Sequence, residues 1–266
     1  MIARQHRNAS KASGGSPIAL LLVPGTLCDA GLYEPLLERL DLGQREVRIA
    51  CLMADTDVIA AAQRILAEAP QDFALVGFSL GGIAALEIAS QAPERVMGLA
   101  LLDSNARGID PASRAGRIAN AEAGTADIAR YVGETQWPNY VGSKSQDDER
   151  LRSQIVDMAL RVGPEALLAQ TELALGRPDS RPRLNRLTMP ALILAGAQDA
   201  LCTPEMQQEL ASGLGDGTLV LLDGVGHFSV LEAPDAVAQS IAEWLARIDS
   251  AGGSLELDRN QNSLVV

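Results

Sequence analysis

An α/β fold with a mostly parallel sheet is predicted by two features of this 266-residue sequence. Short apolar runs alternate with segments that carry leucine, isoleucine and valine at helical spacing. Some of these runs are apolar on both faces, as strands covered by helices on both sides require. With 47% hydrophobic residues, the chain can bury a substantial single core. The sequence therefore predicts a central sheet flanked by helices.

The predicted core comprises residues 17–104 and 189–249. Strands are predicted at residues 18–23, 46–51, 72–76, 97–102, 191–195 and 218–222. Helices are predicted at residues 31–40, 57–69, 80–91, 204–212 and 234–248. Residues 1–16 are polar and are predicted to be disordered, whereas residues 250–266 begin Ser-Ala-Gly-Gly-Ser and are predicted to form a C-terminal tail.

Residues 105–188 break this alternation. The stretch is rich in arginine, alanine and glycine, and helical patches are predicted at 150–160 and 164–175. We interpret it as a helical segment inserted after the strand that ends at Leu102.

Ser79 is the predicted nucleophile. It lies in the sequence Gly77-Phe78-Ser79-Leu80-Gly81, between a predicted strand and a predicted helix. This G-x-S-x-G turn exposes the serine hydroxyl above the sheet, and the helix that follows directs free N–H groups to the same point. The motif alone is weak evidence in a chain with 24 glycines, and the alternative is a glycine-rich turn before a packed helix.

His227 is the predicted general base. The chain has two histidines, and His6 lies in the polar N-terminal stretch. His227 follows the predicted strand at 218–222 and is flanked by glycine, so a loop at the end of a strand presents it. The alternative is an ordinary surface histidine.

Asp199 is the predicted acid, on the loop that follows the strand at 191–195. The chain order Ser79, Asp199, His227 is the nucleophile–acid–base order that accompanies this kind of turn. Two alternatives stay open: Asp199 is only a turn former, or Asp103, which ends the strand at 97–102, is the acid.

The loop Pro24-Gly25-Thr26-Leu27 follows the first predicted strand. A backbone N–H from this loop and that of Leu80 are predicted to form an oxyanion hole. Thr26 is the preferred donor, and Leu27 is the alternative.

Together these segments resemble enzymes of the α/β-hydrolase fold, over residues 17–249. One departure is Pro24-Gly25, where many members carry His-Gly. The resemblance implies a carboxylesterase-like serine hydrolase that cleaves an ester, thioester or lactone of a small molecule through an acyl-enzyme on Ser79. The same fold also carries carbon–carbon hydrolases, cofactor-free haloperoxidases, lyases and non-catalytic ligand-binding proteins, which remain alternatives. No cofactor or metal ion is expected.

In this fold family a cap covers the mouth of the active site, so residues 105–188 are expected to form one. Six side chains are expected to contact the substrate: Leu27, Phe78, Trp137, Tyr140, Met158 and Phe228. For Trp137, Tyr140 and Met158, packing of the cap onto the core is an equal alternative.

Charge and cysteine content restrict the partners. The net charge of −12 and the sequence pI of about 4.6 argue against binding to nucleic acid or to an anionic membrane. No apolar run reaches the length of a membrane span. Three cysteines without metal-like spacing, Cys28, Cys51 and Cys202, favour a reducing compartment. We expect a cytoplasmic monomer or homodimer.

Overall fold

A single parallel sheet organises the part of the chain that the structure describes. The computed structural model describes the backbone of residues 17–262 and the side chains of residues 17–250, so the tail predicted at residues 1–16 lies outside the described residues. Six strands lie in the order β2-β1-β3-β4-β5-β6, and every neighbouring pair is parallel. They are β1 (Ala19–Val23), β2 (Val47–Ile49), β3 (Phe73–Phe78), β4 (Val96–Leu102), β5 (Ala191–Gly196) and β6 (Gly217–Leu222).

Helices connect and cover the strands. The α-helices are α1 (Glu34–Leu37), α2 (Val58–Glu68), α3 (Leu80–Gln91), α4 (Arg114–Thr125), α5 (Ile128–Arg130), α6 (Trp137–Tyr140), α7 (Glu149–Val162), α8 (Pro164–Gly176), α9 (Pro204–Gly213), α10 (Ser229–Glu232) and α11 (Pro234–Asn262). Short 3₁₀ turns lie at Ala30–Leu32, Pro111–Ser113 and Arg181–Arg186, and a π-helical turn lies at Tyr131–Gln136.

The sheet separates two hydrophobic clusters. Successive side chains of a strand point to opposite faces, so Leu20 and Leu22 join one cluster while Leu21 and Val23 join the other. Strands β1, β3 and β5 are buried along their whole length, as the apolar character of both faces predicts. The predicted α/β class, a parallel sheet flanked by helices, is therefore confirmed.

Residues 105–188, called the cap segment below, connect β4 to β5 and contain helices α4 to α8. Trp137, Ile155 and Met158 of this segment belong to the same hydrophobic cluster as Val237 and Ile241 of α11. Burial of about 25 cal/mol per Å² of apolar surface makes such shared packing the main attraction between the segment and the core.

Two predicted helices differ from the structure by more than one residue at an end. The helix predicted at 31–40 is a 3₁₀ turn at Ala30–Leu32 followed by α1. Pro35 lacks the N–H that would bond to the carbonyl of Gly31, so a continuous helix is interrupted there. The last helix does not end at residue 248: its backbone continues to Asn262, through most of the predicted C-terminal tail.

No helix within residues 17–262 combines the length and the apolar character that crossing a membrane would need.

Candidate active site

Ser79 occupies a strained turn between β3 and α3. Its backbone has φ 52° and ψ −115°, a conformation that residues other than glycine rarely adopt. The chain passes so closely here that a Cβ atom on Gly81 would lie 2.0 Å from the carbonyl oxygen of Val23. A Cβ on Gly77 would lie 2.4 Å from the carbonyl oxygen of Gly81. The spacing of the glycines in the sequence thus has a steric cause.

Strand β4 and the loop that follows it hold this turn in place. The N–H of Ser79 donates to the carbonyl oxygen of Leu102 at 2.9 Å, and the Ser104 hydroxyl donates to the carbonyl oxygen of Ser79 at 2.8 Å. A strained backbone persists only where its surroundings determine its geometry, and these two hydrogen bonds supply part of that constraint.

The three predicted catalytic side chains form one chain of hydrogen bonds. Nε2 of His227 lies 2.9 Å from Oγ of Ser79, and Nδ1 of His227 lies 2.8 Å from Oδ2 of Asp199. His227 and Asp199 are buried, while Ser79 is half-buried. Each imidazole nitrogen therefore has a single partner, one on the acid side and one on the nucleophile side.

Asp199 lies on the loop after β5, and backbone amides fix its carboxylate. Its Oδ1 accepts hydrogen bonds from the N–H groups of Leu201 at 2.8 Å and Cys202 at 2.9 Å. Oδ2 remains directed at His227. The carboxylate is thus held on both oxygens before any substrate arrives.

Asp103 occupies a different position. It is fully buried after β4, where its Oδ1 accepts from the N–H of Gly196 at 3.0 Å and its Oδ2 accepts from the hydroxyl of Ser229. Burial raises the pKa of the Asp103 carboxyl well above its ordinary value, and the charge of nearby Asp199 raises that pKa further. Of the two candidate acids, Asp199 is the one that contacts His227.

Two backbone N–H groups from residues beside Ser79 in the cavity wall are candidate oxyanion donors. Within the described chain, the N–H groups of Thr26 and Leu80 have no hydrogen-bond partner, and both residues line the same cavity as Ser79. The N–H of Leu27, the alternative donor, is engaged with Oε1 of Gln170 at 2.9 Å. Thr26 therefore remains the better candidate on this loop.

A cavity of about 640 Å³ opens above Ser79, between the core and the cap segment. Its wall includes Thr26, Ser79, Leu80 and His227 from the core, and Tyr140 and Gln170 from the cap segment. Tyr140 is the one member of the predicted substrate-contacting set that lines this cavity among the described residues.

The other five side chains are placed elsewhere. Leu27, Phe78, Trp137, Met158 and Phe228 are each at most 4% exposed and belong to one hydrophobic cluster. Phe78 and Phe228 pack their rings against the His227 imidazole, with ring centroids 5.3 and 5.9 Å away. Packing buries the apolar surfaces of all five residues, so they lie in the core beside the site and do not line the cavity.

Comparison with known proteins places the whole arrangement in a family. The family model described as "Alpha/beta hydrolase family" matches residues 20–240, which is most of the chain. The chain belongs to this family. The predicted α/β-hydrolase-fold enzyme is thereby confirmed.

Two named relatives and one solved structure show what this α/β hydrolase resembles. A pimeloyl-[acyl-carrier protein] methyl ester esterase of Neisseria meningitidis is 27% identical over 68% of this chain and 73% of its own. A 3-oxoadipate enol-lactonase of Acinetobacter baylyi is 28% identical over 73% of this chain and 70% of its own. The solved structure of an esterase from Thermogutta terrifontis superimposes with a TM-score of 0.77 at 25% identity, covering 89% of this chain and 92% of that one.

One group of potential metal ligands overlaps the site of this α/β hydrolase. Ligand atoms of Asp199, Cys202 and His227 lie within 4.8 Å of one another. Both ring nitrogens of His227 already have hydrogen-bond partners, and burial raises the pKa of the Cys202 thiol, which keeps it protonated. In this structure these three side chains thus serve as hydrogen-bonding groups, with both nitrogens of His227 engaged.

Sequence reasoning did not identify two residues that position the loops of this α/β hydrolase, the buried Gln170 and the half-buried Glu232. Gln170 accepts from the N–H of Leu27 and donates through Nε2 to the carbonyl oxygen of Leu52 at 2.7 Å. It lies three residues from buried Leu167 and from buried Leu173, so a polar side chain on an apolar helix face was the available signal.

The second such residue is Glu232, which ties the His227 loop to the cap segment. Its two carboxylate oxygens accept from the N–H groups of Gly226 at 2.9 Å and Gly142 at 2.8 Å. Burial raises the pKa of the Glu232 carboxyl. Nothing in its local sequence indicates this role, because Gly142 is distant in the chain.

Proposed function

We propose that this α/β hydrolase cleaves the carboxylic ester, thioester or lactone of a small molecule through an acyl-enzyme on Ser79. The observation that carries the proposal is the uninterrupted chain of hydrogen bonds from Asp199 through His227 to Ser79, at the wall of a cavity large enough for a small molecule.

In the first half of the reaction, Ser79 Oγ attacks the carbonyl carbon of the substrate. Nε2 of His227 takes the hydroxyl proton as the Oγ–C bond forms, since a serine hydroxyl is a weak nucleophile at neutral pH. Asp199 holds Nδ1–H, which fixes the tautomer and stabilises the imidazolium that results.

The carbonyl oxygen becomes negatively charged in the tetrahedral intermediate. The N–H groups of Thr26 and Leu80 are the proposed donors to this oxygen, and the N-terminal end of α3 adds a favourable dipole. Loss of one such donor typically lowers the rate about 10²–10³-fold.

Collapse of the intermediate breaks the bond to the leaving alcohol, thiol or lactone oxygen, which receives the proton from His227. Water then loses a proton to His227 and attacks the acyl carbon, and Ser79 leaves with that proton restored. The free acid is the second product. Tyr140 and the cap segment are proposed to contact the acyl or leaving group.

The relatives support this reaction class. The esterase and the enol-lactonase that resemble this chain are both named for reactions at an acyl carbon, and the same cleavage is proposed here. The net charge of −12 and the three free thiols fit the further proposal of a cytoplasmic enzyme that acts on a small molecule, with neither nucleic acid nor a membrane as partner, as a monomer or homodimer.

The test is hydrolysis of p-nitrophenyl esters from acetate to a long acyl chain, by wild type and Ser79→Ala. We expect wild type to hydrolyse at least one ester, and Ser79→Ala to lose about 10⁴-fold or more of that activity. Ser153→Ala, at an exposed serine of α7 outside the cavity, serves as the matched control.

A fluorophosphonate probe gives a second readout, because it labels an activated serine whatever the natural acyl group is. Labelling of wild type and Ser153→Ala but not of Ser79→Ala is expected. A folded wild-type protein that neither hydrolyses any ester nor takes up the probe would reject the proposal.

A further inference from the structure

The charge of the cavity wall is opposite to that of the chain. The sequence has 34 acidic and 22 basic side chains. Among the described residues that line the cavity, however, Arg117 and Arg177 carry a permanent charge, and neither an aspartate nor a glutamate joins them. A low-dielectric cleft lined by one sign of charge concentrates ligands of the opposite sign.

Arg117 projects from α4. Within residues 17–250 it makes neither a hydrogen bond nor an ion pair, and its side chain is exposed at the cavity. Many other arginines of this acidic protein are paired with carboxylates, as Arg114 of the same helix is with Glu172. Its guanidinium therefore presents a full set of N–H donors to a ligand.

Arg177 follows α8 and is bound by neutral groups alone. Its Nε donates to the carbonyl oxygen of Arg107 at 2.8 Å, and its Nη1 donates to that of Ala174 at 3.0 Å. No carboxylate pairs with it in the described part of the chain, and Nη2 makes no hydrogen bond there. The backbone orients this guanidinium without neutralising it.

The two guanidinium groups also disfavour each other. The pKa of Arg177 lies below its ordinary value because burial disfavours the charge and because the positive charge of Arg117 repels it. Arg107, whose carbonyl oxygen binds Arg177, lies two residues after Asn105. Asn105 donates to the thiol of Cys202 at 3.3 Å, close to Asp199 in the chain. Both arginines thus belong to the same cavity as the proposed nucleophile.

We propose that Arg117 and Arg177 form a binding site for an anionic oxygen group of the substrate, a carboxylate or a phosphate remote from the scissile carbonyl. An anion between them would offset their mutual repulsion and receive charge-assisted, directional hydrogen bonds. This inference rests on the proposed function, because it takes the anion as part of the ester that Ser79 cleaves.

The first experiment compares matched substrates. Mono-p-nitrophenyl glutarate carries a terminal carboxylate, and p-nitrophenyl butyrate is its neutral counterpart. We expect wild type to prefer the charged ester in kcat/KM, and each of Arg117→Gln and Arg177→Gln to lower the ratio of the two values about ten-fold or more. Arg150→Gln removes an exposed arginine of α7 outside the cavity and is expected to leave the ratio unchanged.

The second experiment measures binding without catalysis. Glutarate, propyl phosphate and neutral glutaramide are titrated calorimetrically into the Ser79→Ala protein. At least one anion is expected to bind more tightly than glutaramide, and the better anion tells carboxylate from phosphate. Addition of Arg117→Gln is expected to weaken that binding about ten-fold or more. Arg117 makes no hydrogen bond or ion pair within residues 17–250 that the substitution would remove, so this variant is expected to fold.

The outcomes separate the two proposals. Hydrolysis of neutral esters with no arginine-dependent binding of either anion would overturn the anionic-group site and keep the proposed function. Anion binding that requires Arg117, in a protein that cleaves no ester, would keep the site and reject ester hydrolysis.

Discussion

The core and the cap segment contribute different kinds of group to the same cavity. The core supplies Ser79, His227 and the N–H donors of Thr26 and Leu80, all on loops at the carboxyl ends of parallel strands or at the start of a helix. The cap segment supplies Arg117, Gln170 and Tyr140.

The difference separates the proposed chemistry from the proposed selection of substrate. Groups that would bond to the reacting atoms are held by the sheet, where the Ser79 turn and the Asp199 carboxylate are each fixed by backbone hydrogen bonds. Groups from the cap segment line the same cavity and are proposed to contact the rest of the substrate. Insertions in such a segment can therefore change specificity without disturbing the reacting groups.

The largest effect is expected on the core side. Asp199→Asn keeps the shape of the side chain but favours the wrong tautomer of His227, and we expect kcat to fall on the order of 10⁴-fold. The measurement is steady-state hydrolysis of the best p-nitrophenyl ester. Asp103→Asn is the matched control, and the opposite ranking of the two variants would show that Asp103 is the acid.

A smaller but still large effect is expected where the cap segment contacts the loop at residues 24–27. Gln170→Ala removes the acceptor of the Leu27 N–H and leaves two buried backbone groups unpaired. We expect the free energy of unfolding to fall by about 1–3 kcal/mol. Displacement of the neighbouring Thr26 donor is expected to lower kcat about 10–10²-fold, with a smaller change in KM.

Gln239→Ala, at an exposed glutamine of α11, is the control for this experiment. Urea unfolding and steady-state kinetics are measured on the same preparations. A loss of stability with unchanged kcat would mean that Gln170 holds the cap segment in place but does not position the oxyanion donor.

A pH-dependent effect is expected at Asp103. Its folded-state pKa is raised above the unfolded value near 3.9, so the folded state binds the proton more tightly. The resulting stability is present below that unfolded value and is lost as the pH rises toward the folded pKa. Over this interval we expect wild type to lose up to about 1.4 kcal/mol per pH unit relative to Asp103→Asn.

Urea unfolding of both proteins between pH 4 and pH 8 measures this difference. The asparagine cannot ionise, so its contribution stays constant with pH. Parallel stability curves for the two proteins would contradict a raised pKa at Asp103.

The smallest effect is expected at an exposed contact between the same two regions. Nε of Arg161 in α7 lies 2.8 Å from Oδ2 of Asp29 in the core, and 57% of the Arg161 side chain is exposed. Exposed pairs contribute little, and we expect Arg161→Gln to change the free energy of unfolding by less than about 1 kcal/mol. A loss as large as that of Gln170→Ala in urea unfolding would show that this ion pair is a principal link between the regions.

The sequence yielded specific predictions for the core side because its signals there are local. The G-x-S-x-G turn, the apolar runs and the loops that carry Asp199 and His227 each occupy a few consecutive residues, and the order of the three follows the chain. The helix predicted at 80–91 has the bounds found for α3. In contrast, the break at Pro35 and the continuation of α11 past residue 248 depend on details that apolar spacing does not encode.

The cavity wall was predicted poorly because its members meet only after folding. Aromatic and sulfur side chains such as Trp137 and Met158 looked suited to bind a substrate, yet burial of their apolar surface in the shared core is more favourable. Arg117 and Arg177 showed no local pattern, because the feature that distinguishes them is the lack of an aspartate or glutamate among the described residues that line the cavity.

The sequence by itself determined the α/β class, the family resemblance and the candidates Ser79, His227 and the two acids Asp103 and Asp199, because strand, turn and helix preferences act over short distances. Only the tertiary structure decided which acid reaches His227, which amides stay free and which side chains line the cavity. Contacts such as the one from Leu27 to Gln170 join residues 143 positions apart, and no local pattern records which distant residue will satisfy a buried N–H group.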